Sequence, residues 1–484
     1  MHQHYLKAIV VCLLLALCHA YEPNPILDGA SHTILMQSTK NGKLLITAAN
    51  DVYLPILHVY GTPYEMGFAH GELMSKEIHG LLFNDLPRWY IEDKIIDDLV
   101  NEFLPEDIQE RLRHATDADY VPAILDTLDW LWNYQLKYFK KSDIGFVEEI
   151  NGIVDGYCSK TFECDYTHAR RMIQLQSLFP ELIRMACSIL TTWGPANADG
   201  HRDTIQLRAL DFGANPFANS NVVIVRHPSK GIPFASLAFP GFVGAVTSVS
   251  PFLAQAEKVY MYRKEKTAKA FPDHLSESLG ALLPKQELSD LRPGTYDGLS
   301  DIFVIRRVMQ EARTLGEAID IMYDAKRTWP IFLGFTTSAS RLAPGSKATS
   351  PRGRVFPNKP GLAFAYDVAE VTLIDDDNND KFTGTPTFPG VIYLDKHVQP
   401  STSDTRLMEQ VAAQLGNITA EWVVSNVPAF TESGDVHIML VDWNTNSTYI
   451  SVGNAPKNNY GDNGQAYQRP FFRFNMNSWW NEQL

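Results

Sequence analysis

The sequence predicts an α+β protein, and two successive patterns along the chain carry that prediction. Between residue 65 and about residue 185, apolar residues recur every three or four positions, which indicates helices. After Cys187 the pattern changes to short alternating runs separated by turn signals, which indicates strands. Because 45% of the 484 residues are apolar and 11% are aromatic, the chain has the composition of a globular protein and not of a disordered or fibrous one.

The first twenty residues have the pattern of a secretory signal peptide. Lys7 supplies a positive charge, residues 8–17 form an apolar run, and Cys18-His19-Ala20 resembles a cleavage site. An apolar run of this length is too short to span a bilayer, and no later run reaches the ~18 residues that a membrane helix needs. We therefore expect a secreted or lysosomal protein without an integral membrane segment.

The order of elements follows from the same patterns. Residues 21–60 are predicted to form strands and loops, and the next helix is predicted to begin with Thr62 as its N-cap and Glu65 at the third position. Gly67 and Gly71 fall on one side of this helix, where the missing side chains permit close packing. The later predictions are a β-meander over 188–262, a helical stretch over 301–324 broken near 315–316, strands at 362–374 and 390–394, helices at 404–414 and 419–427, and a hairpin of 436–443 with 448–452.

Three cysteines remain once the signal peptide is removed. Cys158 and Cys164 flank a short polar segment, and we expect them to form a disulfide in an oxidising compartment. This pairing leaves Cys187 as an odd thiol that needs an explanation in a secreted protein. The sequons at Asn417 and Asn446 are predicted glycosylation sites, and the second lies in the predicted hairpin turn.

Cys187 begins the first strand of the β-rich part, and a charged pair follows on the next strand. Arg208 and Asp211 are three residues apart near the end of that strand. A buried Arg–Asp pair is more often a structural ion pair, and a thiol at the start of a strand is more often part of the core. From these residues alone both the structural and the catalytic interpretation stay open.

The arrangement of Cys187 with Arg208 and Asp211 resembles the Cys-type N-terminal-nucleophile (Ntn) hydrolases, which include penicillin V acylase, bile salt hydrolase, isopenicillin N acyltransferase and acid ceramidase. The segment 61–71 is similar to the upstream signature of the isopenicillin N acyltransferase-like branch, and 240–250 is similar to a third-strand motif. Two further matches are to acid ceramidase-like enzymes: Glu257 falls where they carry a glutamate, and 391–400 is similar to a late segment.

The resemblance implies a fold and a division of the chain. The expected fold is a four-layer αββα arrangement, in which two stacked antiparallel sheets lie between helical layers, preceded by a helical N-terminal region. The expected precursor is cut between Ala186 and Cys187. Residues 21–186 would form a mostly helical α subunit and residues 187–484 the catalytic β subunit, and the two pieces would stay associated.

The resemblance also assigns chemistry to three residues. Cys187 would be the nucleophile, and its α-amine, with an unperturbed pKa of about 7.7–8.0, would serve as the base for its own thiol. Asp211 would bind that amine. Arg208 would steer the thiolate and the acyl carbonyl, and its charge would lower the pKa of the thiol. No cofactor and no metal ion is implied.

The chain departs from the family pattern around the oxyanion. Relatives carry an asparagine near the third-strand motif, where this sequence has Ser250, and another before the late segment, where residues 383–387 have none. His397 stands where acid ceramidase-like enzymes carry an arginine. Ser250, Glu257 and His397 are the predicted substrate and oxyanion residues. The loss of one oxyanion donor costs a factor of about 10²–10³ in rate in a protease.

The function expected from these motifs is hydrolysis of a linear amide in an N-acylated, lipid-like small molecule through an acyl-Cys187 thioester. Two alternatives stay open: an acyltransferase that passes the acyl group to an amine, and a secreted binding protein on a decayed scaffold. The net charge of −14 disfavours a nucleic-acid partner. A serine-hydrolase elbow and a P-loop are both absent from the sequence.

Overall fold

A computed structural model places a large part of the chain, including both sides of the predicted cleavage point. The residues that the structure describes are 23–49, 52–86, 129, 132–133, 135–139, 144–182, 186–201, 203–212, 216–259, 298–326, 331–338, 352–356, 363–367, 370–374, 388, 390–394, 405–454 and 464–484. The predicted signal peptide, residues 383–387 and His397 lie outside the described residues.

The chain contains both helices and strands, in agreement with the α+β class that the sequence predicts. The strands are Ile26–Asp28 (β1), Thr33–Thr39 (β2), Gly42–Ala49 (β3), Val52–Gly61 (β4), Ala186–Thr192 (β5), Ile205–Asp211 (β6), Val222–Pro228 (β7), Phe234–Ala238 (β8), Thr247–Val249 (β9), Ala254–Val259 (β10), Ile331–Thr336 (β11), Arg352–Phe356 (β12), Ala363–Asp367 (β13), Glu370–Ile374 (β14), Val391–Leu394 (β15), His437–Asp442 (β16), Ser447–Val452 (β17) and Phe471–Asn475 (β18). The α-helices are Pro63–Leu73 (α1), Ser75–His79 (α2), Phe146–Lys160 (α3), Tyr166–Leu182 (α4), Asp301–Glu311 (α5), Leu315–Asp324 (α6), Thr405–Gln414 (α7), Ala420–Thr431 (α8) and Met476–Asn481 (α9).

The strands form two sheets, and three apolar clusters show how the layers are stacked. The strand orders are β1-β18-β17-β16-β6-β5-β15 in one sheet and β14-β13-β12-β11-β10-β9-β8-β7-β4-β3-β2 in the other. One cluster joins apolar residues of both sheets, such as Val223 and Met439, and lies between them. Another packs α1 and α3 on the outer face of the eleven-stranded sheet. The third packs α7 and α8 on the outer face of the seven-stranded sheet. The expected four-layer αββα architecture is therefore confirmed.

Two details of the fold differ from the prediction. The sheets are not wholly antiparallel, because β4 pairs with β7 and β1 pairs with β18 in parallel. The strands after Cys187 do not form a single meander: β5 and β6 belong to the seven-stranded sheet, whereas β7–β11 belong to the other. The N-terminal strands predicted over residues 21–60 are present as β1–β4, and they are shared between the two sheets. Pairing across sequence-distant strands sets this topology, and local periodicity does not encode it.

Local signals placed several element ends correctly. The side chain of Thr62 accepts from the Glu65 amide at 3.3 Å, and Glu65 Oε2 accepts from the Thr62 amide at 2.9 Å, which completes the predicted cap of α1. The break in the helical stretch lies a few residues before the predicted one. There, Thr314 caps α6 through the same exchange with Glu317.

The disulfide between Cys158 and Cys164 is formed, as predicted. Asn446 lies in the turn between β16 and β17, and Asn417 is exposed in the turn before α8; glycosylation of both stays a prediction. In the part of the chain that the structure describes, no helix has both the length and the apolar character needed to cross a membrane.

Candidate active site

Cys187 is the second residue of β5 and lies at the contact between the two sheets. Its strand neighbours are Ser188-Ile-Leu-Thr-Thr, a β-prone segment whose pairing with β6 places Cys187 opposite Leu210. Lys258, on β10 of the other sheet, donates from Nζ to the Cys187 carbonyl oxygen at 2.9 Å. The thiol has no exposed surface. Burial raises the pKa of Cys187 to about 12, against the opposing effect of Arg208, so the intact chain carries a protonated thiol.

Arg208 reaches the sulfur from the neighbouring strand β6. Its Nη2 lies 3.0 Å from Cys187 Sγ and donates to Glu257 Oε2 at 2.8 Å. Its Nε donates to the Glu257 carbonyl oxygen at 3.1 Å. Its Nη1 donates to Thr247 Oγ1 at 2.5 Å and lies 3.1 Å from His437 Nε2. A guanidinium has five N–H groups, and these contacts supply an acceptor for each of them.

Glu257 supplies the buried carboxyl group of the site. Its ion pair with Arg208 lies in a region from which water is excluded, where both side chains are almost fully covered. Burial raises the pKa of Glu257 to about 7, and the charge of Arg208 partly opposes that rise. The carboxyl group is therefore poised between its neutral and charged forms near neutral pH.

Asp211 ends β6 beside the predicted cleavage point. In the β5–β6 register it pairs with Ala186, so its backbone lies next to the bond that joins Ala186 to Cys187. Its carboxylate accepts from Ser433 Oγ at 2.5 Å and from the Gly434 amide at 2.7 Å. Gly434 has a φ of +96°, a conformation that glycine adopts without steric cost, and this lets its N–H point at the carboxylate.

The structure brings four of the predicted site residues together and gives a fifth, Ser250, contacts within its own turn. Cys187, Arg208 and Glu257 form one hydrogen-bonded group, and Asp211 lies opposite the adjacent residue. Ser250 Oγ instead accepts from the amides of Phe252 at 3.2 Å and Leu253 at 3.0 Å and so closes its own turn. Its predicted oxyanion role, like that of the undescribed His397, stays a prediction.

Three contributors to the site were missed by sequence reasoning: Thr247, Lys258 and His437. A threonine in a strand and a lysine beside a glutamate carry no signal of their own. His437 stands before the apolar run Ile438–Val441, a pattern typical of a core strand. Among the residues that the structure describes, no group of three or more His, Cys, Asp or Glu side chains is arranged to hold a metal ion.

Sequence comparison finds relatives along nearly the whole chain. Protein dcd1B of Dictyostelium discoideum is 28% identical over 466 residues, which cover 93% of this chain and 79% of the relative. Protein dcd1A of the same organism is 28% identical over 470 residues, which cover 93% of this chain and 91% of the relative. An uncharacterized protein of Archaeoglobus fulgidus is 22% identical over 289 residues. No family model matches the chain.

Comparison with solved structures finds weak likenesses, and two of the matching chains are enzymes. Penicillin V acylase from Agrobacterium tumefaciens matches 55% of this chain and 83% of its own, at 12% identity and a TM-score of 0.31. A mutant conjugated bile acid hydrolase from Clostridium perfringens matches 60% of this chain and 93% of its own, at 9% identity and a TM-score of 0.31. Likenesses of this size do not bear on function, so any proposed function has to rest on the side chains around Cys187.

Proposed function

We propose that this chain is the precursor of a secreted or lysosomal Cys-type Ntn amidohydrolase with Cys187 as its nucleophile. The observation that carries the proposal is the contact of Arg208 Nη2 with Cys187 Sγ at 3.0 Å, at the start of a strand whose preceding residue pairs with Asp211. Burying a charged guanidinium costs free energy, and the packing of a structural cysteine does not require one at its sulfur. The contact therefore favours a reactive role for the thiol.

The first reaction is cleavage of the chain between Ala186 and Cys187. The thiol sulfur attacks the Ala186 carbonyl carbon, the C–N bond breaks, and the thiol proton passes to the new α-amine of Cys187. Water then hydrolyses the thioester, which releases the Ala186 carboxyl group and restores the thiol. The complete burial of Cys187 in the intact chain supports this order, since a substrate can reach the thiol only after the chain around it has changed.

After cleavage, each polar group of Cys187 would have its own partner. Asp211 would hold the α-amine, Lys258 holds the carbonyl oxygen, and Arg208 holds the sulfur. The amine would accept the thiol proton, and the thiolate would attack the substrate carbonyl while the amine product leaves. Water would then hydrolyse the acyl-thioester and release the acid.

The surroundings of the thiol favour an apolar acyl group. The Phe239 ring lies 6.0 Å from the imidazole of His437, which contacts Arg208, and the Phe217 ring centroid is 4.6 Å from that of Phe239. An acyl chain covered by such aromatic surface gains roughly 0.8 kcal/mol for each buried methylene group. The proposed substrate is therefore an N-acylated small molecule with a lipid-like acyl group and a linear amide bond.

The proposal is tested by expressing the full chain in a secretory host and sequencing the N-termini of the purified protein. The wild type is expected to contain a polypeptide that begins at Cys187, and Cys187→Ala is expected to remain uncut. Ser248→Ala is the matched control, because it removes a buried hydroxyl that hydrogen-bonds Ser236 at 3.1 Å; it should be cut normally.

Processed wild-type protein should then release fatty acid from N-acyl amides of increasing chain length. An uncut wild-type chain without amidase activity between about pH 4 and about pH 8 would overturn the proposal and favour a binding protein instead. Cleavage that persists in Cys187→Ala would show that another residue is the nucleophile.

A further inference from the structure

The side of Arg208 that faces away from the sulfur is held by His437, on β16. Arg208 has to keep one rotation of its planar guanidinium for Nη2 to meet both Cys187 and Glu257. That rotation depends on which hydrogen-bond acceptors lie next to Nη1. Thr247 Oγ1 and His437 Nε2 are the two acceptor positions there, at 2.5 Å and 3.1 Å.

The hydrogen bonds of Asn221 determine which nitrogen of His437 carries the proton. Asn221 Nδ2 donates to the carbonyl oxygens of Ala218 at 2.9 Å and Val436 at 3.0 Å, which uses both amide hydrogens. Its Oδ1 therefore faces His437 Nδ1, at 2.8 Å. A carbonyl oxygen only accepts, so Nδ1 of His437 must be the N–H group.

His437 Nε2 is consequently the bare, accepting nitrogen. Arginine donates at every nitrogen, so the 3.1 Å contact with Arg208 Nη1 requires a lone pair on Nε2. The hydroxyl of Thr247 lies 3.1 Å from the same nitrogen. Burial and the charge of Arg208 hold the pKa of His437 well below its usual value, which keeps the ring neutral.

The backbone fixes the ring in this place. His437 pairs with Leu210 in the register of β16 and β6 and with Val452 in the register of β16 and β17, so its strand is held on both sides. The ring of Phe239 packs at a centroid distance of 6.0 Å from the imidazole. The imidazole is therefore held both by hydrogen bonds and by packing, as a residue that aligns another side chain must be.

We propose that His437, as the neutral tautomer with its proton on Nδ1, is the positioning residue that aligns Arg208 with the Cys187 sulfur. It acts through Arg208 and does not itself touch the sulfur in the described contacts. The inference deepens the proposed function and rests on it, since the alignment matters for reaction only if Cys187 is the nucleophile.

Two variants of similar size separate positioning from packing. Gln in His437→Gln can present its carbonyl oxygen to Arg208 Nη1, whereas Met in His437→Met fills the space without a comparable acceptor. We expect His437→Gln to be cut at Cys187 within about threefold of the wild-type rate. We expect His437→Met to be cut about 10- to 100-fold more slowly, the loss typical of a hydrogen bond to a charged group.

Thermal melting of both variants provides the control for folding. A purely structural role predicts that the rates of the two variants follow their melting temperatures, with no rescue by Gln. Equal slowing of both variants, or wild-type cleavage in His437→Met, would overturn the inference.

A spectroscopic measurement keeps this inference distinct from the proposed function. In wild-type protein with ¹⁵N-labelled histidine, the resonance lost in His437→Gln should show a protonated Nδ1 and a bare Nε2 near neutral pH. A proton on Nε2 contradicts the inference whether or not the chain is cut. The expected tautomer in a wild-type chain that is never cut would refute the proposed function alone.

Discussion

Arg208 shows why single side chains at this site cannot be exchanged for chemically similar ones. Its contacts with Glu257, Thr247, His437 and Cys187 use a planar fork with five N–H groups. A lysine offers three N–H groups on one rotating nitrogen and cannot span these positions. The residue type is therefore set by the geometry of its acceptors as well as by its charge.

We expect Arg208→Lys to slow cleavage at Cys187 by about 100-fold, because one lysine nitrogen cannot donate to the sulfur and to all the other acceptors of Arg208 at once. The measurement is the rate at which the Cys187 N-terminus appears after expression. Arg307→Lys is the matched control, since Arg307 forms a partly exposed pair with Glu311 at 2.9 Å; it should be cut normally. Equal rates in the two variants would contradict the role given to Arg208.

The pKa of Glu257 predicts how stability changes with pH. Its folded-state pKa is raised to about 7, so the neutral carboxyl group is the form that folding favours. The stability that Glu257 contributes is fully present below its unfolded-state pKa near 4.5, and it is lost as the pH rises through 7. As the pH rises from about 4.5 to about 7, we expect the urea midpoint of the wild type to fall relative to that of Glu257→Gln.

Glu149 provides the opposite case for the same measurement. Burial raises its pKa, but the charges of Arg306 and Arg226 outweigh that effect and hold the pKa below its usual value. Its contribution to stability is therefore present above the unfolded-state pKa and is lost as the pH falls. Glu149→Gln should cost about 3–5 kcal/mol near neutral pH, because it breaks a buried ion pair. A loss for Glu149→Gln that does not shrink in acid would contradict this assignment.

At the scale of elements, α1 and α3 pack with their backbones in close contact. The contact uses Gly67 and Gly71 on α1 and Gly152 and Gly156 on α3. A Cβ atom built on any of the four would lie 2.0–2.2 Å from a backbone oxygen of the facing helix. The predicted close packing at Gly67 and Gly71 is therefore confirmed, and α3 supplies the complementary pair of glycines.

Alanine in this interface should be strongly destabilising although it favours helices intrinsically. We expect Gly152→Ala to lower the free energy of unfolding by about 3 kcal/mol or more, because the obstructing atom is the Tyr64 carbonyl oxygen and not a movable side chain. Gly80→Ala is the control, since a Cβ there meets no atom of the described residues within 4 Å, apart from its chain neighbours and its own helix backbone. Its effect should be zero or stabilising by up to about 1 kcal/mol. Similar urea midpoints for the two variants would contradict the packing argument.

At the scale of the whole molecule, both sides of the predicted cut belong to one folded unit. The strand β4 lies before the cut and pairs with β7, which lies after it. The same holds for β1 and β18 at the far edge of the other sheet. Glu149, before the cut, forms buried ion pairs with Arg226 and Arg306, after it.

We therefore expect the two pieces to remain together after cleavage. Processed protein should elute as one species in native gel filtration at high salt and separate into two polypeptides only in denaturant. High salt is the informative condition, because it screens exposed charges but leaves buried ion pairs and sheet pairing nearly unchanged. Two species under native conditions would contradict the shared-sheet interpretation.

The sequence by itself determined the element types, the cap of α1 and the disulfide, and it singled out Cys187, Arg208 and Asp211 as a candidate site. Each of these depends on residues close in the chain or on a short motif. Only the tertiary structure decided that the N-terminal strands join both sheets, and that Lys258 and His437 reach the site. Strand pairing and side-chain contacts over hundreds of residues depend on the whole packed molecule, whereas a histidine before an apolar run has the same local pattern in a core or in an active site.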